Sequence, residues 1–271
     1  MAAVRDRPSG RPAHPALNRL WRVGGSLAAV GVLGVGTVQS VSLLAHEEET
    51  VVHRFDGAAV RLVDVSNQAG AVHVVGTDGD EIQVRARVSH GMRSTGHSER
   101  IDGDRLVLRA SCPVFGSSFC HVTYTVEVPE DVDVRVRADG RISVSDVTGD
   151  VDASTDNGRV EAARVGGDVL LASDNGRVVG TELSAGTADA DSDNGRVELT
   201  FLDPPRSVTA RSDNGSVEVV LPDTPDDYVV DVSSDNGTAA SPDIRTDPES
   251  GRTVTASSDN GDVTVRYAPG R

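Results

Sequence analysis

From about residue 50 onward, apolar residues recur at every second position, the period of a strand with one buried face. The alternation keeps register with one triplet, Asp-Asn-Gly, which is written six times. The copies are Asp156-Asn157-Gly158, Asp174-Asn175-Gly176, Asp193-Asn194-Gly195, Asp213-Asn214-Gly215, Asp235-Asn236-Gly237 and Asp259-Asn260-Gly261. Five residues before each Asp stand Val151, Val169, Ala188, Val208, Val230 and Val254; three before stand Ala153, Leu171, Ala190, Ala210, Val232 and Ala256. The residue just before is always Thr or Ser, and four after each Asp stand Val160, Val178, Val197, Val217, Ala239 and Val263. A half-buried strand is therefore predicted on either side of each triplet. Asn-Gly tolerates positive φ, so it turns a β-chain sharply at little cost. Spacings of 18, 19, 20, 22 and 24 residues predict stacked coils with the triplet at one corner, each coil too poor in apolar surface to stand alone. A series of antiparallel hairpins is the alternative. The Ser/Thr and Asn columns could form hydrogen-bonded ladders along a stack. VDVRVRADGRISV (132–144) reads as an earlier copy lacking one turn residue, and LVDVSNQAGAVHVVG (62–76) keeps the rhythm without the triplet.

An uncharged stretch, residues 23–45, precedes the alternating region. At about 1.5 Å per residue it is long enough to span a hydrocarbon core of about 30 Å. Arg5, Arg7, Arg11, Arg19 and Arg22 lie before it and Glu47, Glu48 and Glu49 after it, so residues 1–22 are expected in the cytoplasm and residues 46–271 outside. A cleaved signal peptide is the rival reading and agrees on export.

Composition narrows the chemistry. The exported part carries 42 − 1 = 41 acids against 26 − 5 = 21 Arg, and the chain has no Lys. Such acidity argues against nucleic acid, whose binders need a basic stripe. Aromatics are only 3%, so the core is expected to consist of small and β-branched side chains. Cys112 and Cys120 are the only cysteines, and in an exported chain they suggest one disulfide. Asp189 to Gly195 fails as a helix–loop–helix calcium site, because Asn194 stands where Gly is needed and Thr200 where Glu is needed. The column of six Asp could still hold cations between coils. No His lies in the triplet region and no phosphate loop, nucleophile elbow or zinc signature appears. No enzyme activity, metal or cofactor is expected.

The links between one coil and the next hold 6, 7, 8, 10 and 12 residues, so they alone account for the growth in repeat length. Their prolines stiffen them, and loops on a repeat scaffold commonly bind partners. The acids of the last two links, Asp223, Asp226, Asp227, Asp243 and Asp247, form a candidate binding edge for a cationic or polyhydroxylated envelope component.

The run from VSNQAGAVHVVGTDGDEIQVRARV through VTYTVEVPEDVDVRVRADGRISV to the SDNG series resembles the bacterial putative-adhesin repeat family, once a domain of unknown function, over about residues 50–267. The resemblance implies a right-handed β-solenoid at a bacterial cell surface. The expected organisation is a cytoplasmic tail (1–22), a transmembrane helix (23–45), a β region continuous with the solenoid (46–130), the repeat solenoid of 18–24-residue coils (131–267) and a short tail (268–271). The expected role is a single-pass, membrane-anchored adhesin or structural binding module that contacts cell-wall polymer or another surface protein. The alternative is the exported sensor of an envelope-stress system, and a polysaccharide-active enzyme stands third.

Overall fold

The computed structural model describes residues 47–68, 70–90, 96–112 and 120–269. The expected span and the tail before it lie outside the described residues, and no helix among the described residues is long and apolar enough to cross a membrane.

The described secondary structure is entirely strand. An N-terminal group comprises β1 (Glu47–Asp56), β2 (Leu62–Asn67), β3 (Val72–Thr77), β4 (Glu81–His90), β5 (Gly96–Asp102), β6 (Arg105–Ser111) and β7 (His121–Pro129). Then come the coils, each with two strands: β8 (Asp133–Ala138) and β9 (Ile142–Val147), β10 (Val151–Thr155) and β11 (Val160–Val165), β12 (Val169–Ser173) and β13 (Val178–Leu183). They continue with β14 (Thr187–Ser192) and β15 (Val197–Phe201), β16 (Ser207–Ser212) and β17 (Val217–Leu221), β18 (Val229–Ser234) and β19 (Ala239–Ala240), β20 (Thr253–Ser258) and β21 (Val263–Tyr267).

The first strand of each coil joins one sheet and the second joins the other. The first sheet runs β18-β20-β16-β14-β12-β10-β8-β2-β6-β5, and the second runs β1-β4-β7-β3-β9-β11-β13-β15-β17-β21-β19. Neighbouring coils pair in parallel and in register, for example Val151 with Val169 and Val160 with Val178. Parallel pairing between successive coils rules out the hairpin series. The alternate residues facing inward from both sheets form a single core from Val60 to Val265, built mainly of Val, Ala and Leu.

Antiparallel strands close the N-terminal end. β4 lies antiparallel between β1 and β7, and β5 lies antiparallel to β6. His53 on β1 meets Glu99 on β5, tying the edge of one sheet to the edge of the other. Cys112 and Cys120 form a disulfide between the end of β6 and the start of β7, with Cα atoms 5.8 Å apart.

The stack does not follow sequence order at its C-terminal end. β20 pairs with β16 on one side and β18 on the other, and β21 lies between β17 and β19. The final coil has entered between its two predecessors. Repeat spacing reports the size of a coil but not its rung, so the order of coils along the stack is not written in it. The two longest links follow from this arrangement. One leaves β17 and passes a rung to reach β18, and the next returns from β19 to β20. The end coil is correspondingly open. Val230 and Val232 are half-buried, whereas Val254 and Ala256 on the inserted coil are buried.

Candidate functional site

The corner is held by three columns, each with its own chemistry. The Ser/Thr side chains point inward and donate across the corner to the Gly carbonyl of the adjacent coil. Thr155 reaches Gly140, Ser173 Gly158, Ser192 Gly176, Ser212 Gly195, Ser258 Gly215 and Ser234 Gly261, all at 2.7–2.9 Å. These hydroxyls satisfy carbonyls that the turn would otherwise leave buried and unpaired. The Asn side chains form a ladder on the outside. Asn157 donates to Asp139, Asn175 to Asn157, Asn194 to Asn175, Asn214 to Asn194, Asn260 to Asn214 and Asn236 to Asn260, at 3.0–3.3 Å. The ladder follows the spatial order of the coils, and Asp139 of the shortened copy serves as its first acceptor.

Glycine is required for a reason other than the expected one. None of the six triplets has a residue at positive φ. Backbone amides run around the corner to the neighbouring coil, as from Asn194 N to Asp174 O at 2.9 Å, so the triplet continues the parallel ladder and does not fold back on itself. The glycines stack backbone on backbone. A Cβ on Gly176, Gly195, Gly215, Gly237 or Gly261 would lie closer than 3.0 Å to the carbonyl oxygen of the neighbouring glycine.

Positive φ does occur, at the opposite end of the second sheet's strands, in Asp146 (62°), Arg164 (54°) and Glu182 (53°). Each is an extra residue that lets the next one, Val147, Val165 or Leu183, turn into the core. Arg164 makes a bidentate contact with Asp146 at 2.6 and 2.9 Å and approaches Glu182 at 3.7 Å. The Arg164 hydrogen bond holds the Asp146 carboxyl below its usual range. Sequence reading missed this column. Its signal was the polar pair before the final apolar residue, as in ISVSDV and VVGTEL.

The six triplet Asp carboxylates line the outer corner, exposed and without hydrogen bonds or ion pairs among the described residues. No group of three or more His, Cys, Asp or Glu among the described residues is placed to hold a metal ion. The strain in this acidic surface falls on Asp191 of β14. Burial, then Asp193, Asp213 and Asp189, hold its pKa above the ordinary carboxylate range, with Arg211 opposing them. A raised pKa means that ionised Asp191 detracts from stability above about pH 4. Asp191→Asn is expected to raise stability at pH 7, by less than about 1 kcal/mol as for most surface changes. The gain should fade as pH drops through the carboxylate range. Urea midpoints of both proteins between pH 3 and pH 7 check this.

The five acids of the candidate binding edge lie on the two links that cross at the C-terminal end. Three are paired with arginines of the chain. Arg245 approaches Asp223 at 3.5 Å and Asp227 at 3.9 Å, and Arg252 approaches Asp226 at 3.3 Å. Asp247 accepts from the amide of Glu249 at 2.9 Å, and Asp243 sits at φ 59°. The links are tied to each other, as by Ser250 Oγ donating to Asp227 O at 2.6 Å. Tyr228 is buried where they meet, and burial pushes its hydroxyl up to about 12.

Three crystal structures resemble this chain. One is a "putative adhesin" from Bacteroides fragilis NCTC 9343, 14% identical, covering 81% of this chain and 97% of that one, with a TM-score of 0.48. A "putative cell adhesion protein" from Clostridium sporogenes ATCC 15579 is 10% identical over 82% of this chain and 100% of that one, TM-score 0.38. A "putative adhesin" from Parabacteroides distasonis ATCC 8503 is 13% identical over 81% and 97%, TM-score 0.34. No protein-family model and no curated protein matches the chain.

Outside the corner and the links, the outer face of the ten-stranded first sheet is a regular surface. Side chains stand on it in rows, one residue per coil. One row reads Ser98, Arg109, Ser66, Arg137, Ser154, Ala172, Asp191, Arg211, Ser257, Ser233. The next contains Asp64, Arg135, Asp152 and an exposed Leu170.

Proposed function

We propose that residues 46–271 form an exported binding module, held at a bacterial cell membrane by residues 23–45 with the N-terminus in the cytoplasm, which acts as an adhesin or structural surface module on cell-wall polymer or another surface protein. The observation that carries this reading is the ten-stranded outer face of the first sheet, whose rows repeat one side chain per coil. Parallel strands lie about 4.8 Å apart. An extended polymer can therefore lie along a row, meet one side chain per coil and gain avidity from weak single contacts. Rigidity supports the same reading, because each corner is fixed by hydroxyl, amide and backbone contacts before any ligand arrives, which lowers the ordering cost of binding.

The test is co-sedimentation of the full chain, purified in detergent, with isolated cell walls, alongside protease shaving of intact cells. The expected result is chain in the wall pellet and cleavage of residues 46–271 from outside. Chain left in the supernatant with walls and with whole cells would overturn the binding role. Protection from the protease would overturn the topology.

A further inference from the structure

The first sheet's outer face changes character towards its N-terminal end. Ser66 on β2 pairs with Arg109 on β6 on one side and with Arg137 on β8 on the other. With strands about 4.8 Å apart, the two arginine stems rise about 10 Å from one another with the Ser66 hydroxyl midway. Two of the acids near this row are already engaged, and two others, Asp139, which accepts from Asn157, and Asp156, unpaired among the described residues, lie towards the corner. Asp152 is held by Arg135 at 2.8 Å and lies only at 3.6 Å from Arg137, while Asp64 faces Arg105 at 3.5 Å. Arg109 makes no ion pair among the described residues. In a chain of formal charge −16, this end of the row places two cations on either side of one hydroxyl, with the carboxylates confined to the Arg137 side.

The row lies in a groove. A depression of about 390 Å³ without a carboxylate opens over Ser66, Gln68, His97, Ser98 and Arg109, and a second of about 390 Å³ shares Ser66 and Gln68 and continues over Arg137 to Asp139 and Asp156 at the corner. The backbone beneath is fixed. The buried Tyr124 hydroxyl donates to Arg109 O at 3.1 Å, and buried Asn67, next to Ser66, donates to Val122 O at 2.8 Å. The backbone that carries Arg109 and Ser66 is thus fixed before a ligand arrives.

We propose that this groove binds a phosphodiester within a polyhydroxylated chain, with one guanidinium on each non-bridging oxygen and the Ser66 hydroxyl between them. A phosphodiester can hold two guanidiniums at once. Gln68 and the serines supply donors and acceptors for the hydroxyls of the chain on either side.

The inference rests on the reading of the exported stack as a binding module. The test measures retention of the full chain in detergent on immobilised poly(glycerol phosphate), with polygalacturonate and phosphatidylglycerol vesicles as the other arms. Arg109→Gln, Arg137→Gln, their double variant and Arg211→Gln are compared with the unaltered chain. Arg211 lies in the same row, outside the groove. The expected result is binding to the phosphate polymer in preference to both other arms. Each groove substitution should weaken it about tenfold, as for lost charge-assisted hydrogen bonds, and Arg211→Gln should leave it unchanged. Equal losses at Arg211 and in the groove would overturn the proposal as non-specific charge attraction. Equal or better binding to polygalacturonate would overturn the phosphate assignment, and binding to vesicles alone would overturn the polymer. Wall sedimentation that survives in the double variant, with no phosphate binding in the unaltered chain, would overturn this inference and leave the binding-module reading standing.

Discussion

Gly195→Val should unfold the middle of the stack well below the temperature at which the unaltered chain melts. The new Cβ would lie within the van der Waals boundary of Gly176 O, and Gly215 stacks on the other side of Gly195 in the same way. The neighbour is backbone already committed to a parallel ladder, so no side chain can swing aside to make room. Overpacking of this kind costs about 1–3 kcal/mol, occasionally more. For a domain of this size each kcal/mol lowers Tm by about 2–4 °C. The loss should be at least as large for Gly176→Val, and negligible for Gly251→Ala, where a Cβ meets nothing within 4 Å. Differential scanning calorimetry of the three variants checks the assignment. A Gly195→Val protein as stable as the original would remove the close approach as the reason for the glycine column.

The second large effect concerns rung order. Ending the chain after Arg252 removes β20 and β21, the only coil that joins β18 and β19 to the rest. Residues 229–240 should then lose their amide protection altogether, although all of their own sequence is present. Excising residues 222–252 and joining Leu221 to Thr253 through two glycines should have the opposite outcome. That junction copies the length of Gly166-Gly167 ahead of Asp168, and β20 and β21 already pair with β16 and β17. The excised protein should keep native protection through residue 267. Hydrogen exchange read by mass spectrometry distinguishes the two. Serial stacking demands the reverse, with truncation tolerated and excision creating a new neighbour.

Much of this architecture was legible because the period-two alternation and the triplet agree with each other. Val151, Ala153, Val160 and Ala162 are buried where the pattern places them, and Asn and Ser stand in the columns where the repeats align. The glycine was found for the wrong reason. A sequence shows that a side chain is excluded, but excluded φ and excluded volume leave the same trace, and only the stacked carbonyls separate them. Rung order left almost no trace. The longer links around Thr224 and Arg245 read equally well as displayed loops, and only the strand pairing, with Tyr228 buried between the links, reveals that they are crossings. The acids of those links were recognised as a cluster, but their partners Arg245 and Arg252 come together with them only through the crossing. The Arg109–Ser66–Arg137 row was hidden for a related reason. Its members are distant in sequence and meet only because the coil of β2 and β3 lies between those of β6 and β7 and of β8 and β9.

The exchanged coil also changes how such a protein can lengthen. A repeat array ordinarily grows by copying a unit at its end, and each copy docks on the one before through a short link. Here β21 finishes one rung short of the end, with β18 and β19 beyond it. A copy placed after Tyr267 would emerge beside an occupied rung and would need a link long enough to pass β18 and β19 before it met a free edge. Duplication within the series from β8 to β17 needs only the short links already present there. The crossing therefore favours growth from the middle of the stack: a new coil enters there through a short link, while one added at the tip must first clear a rung.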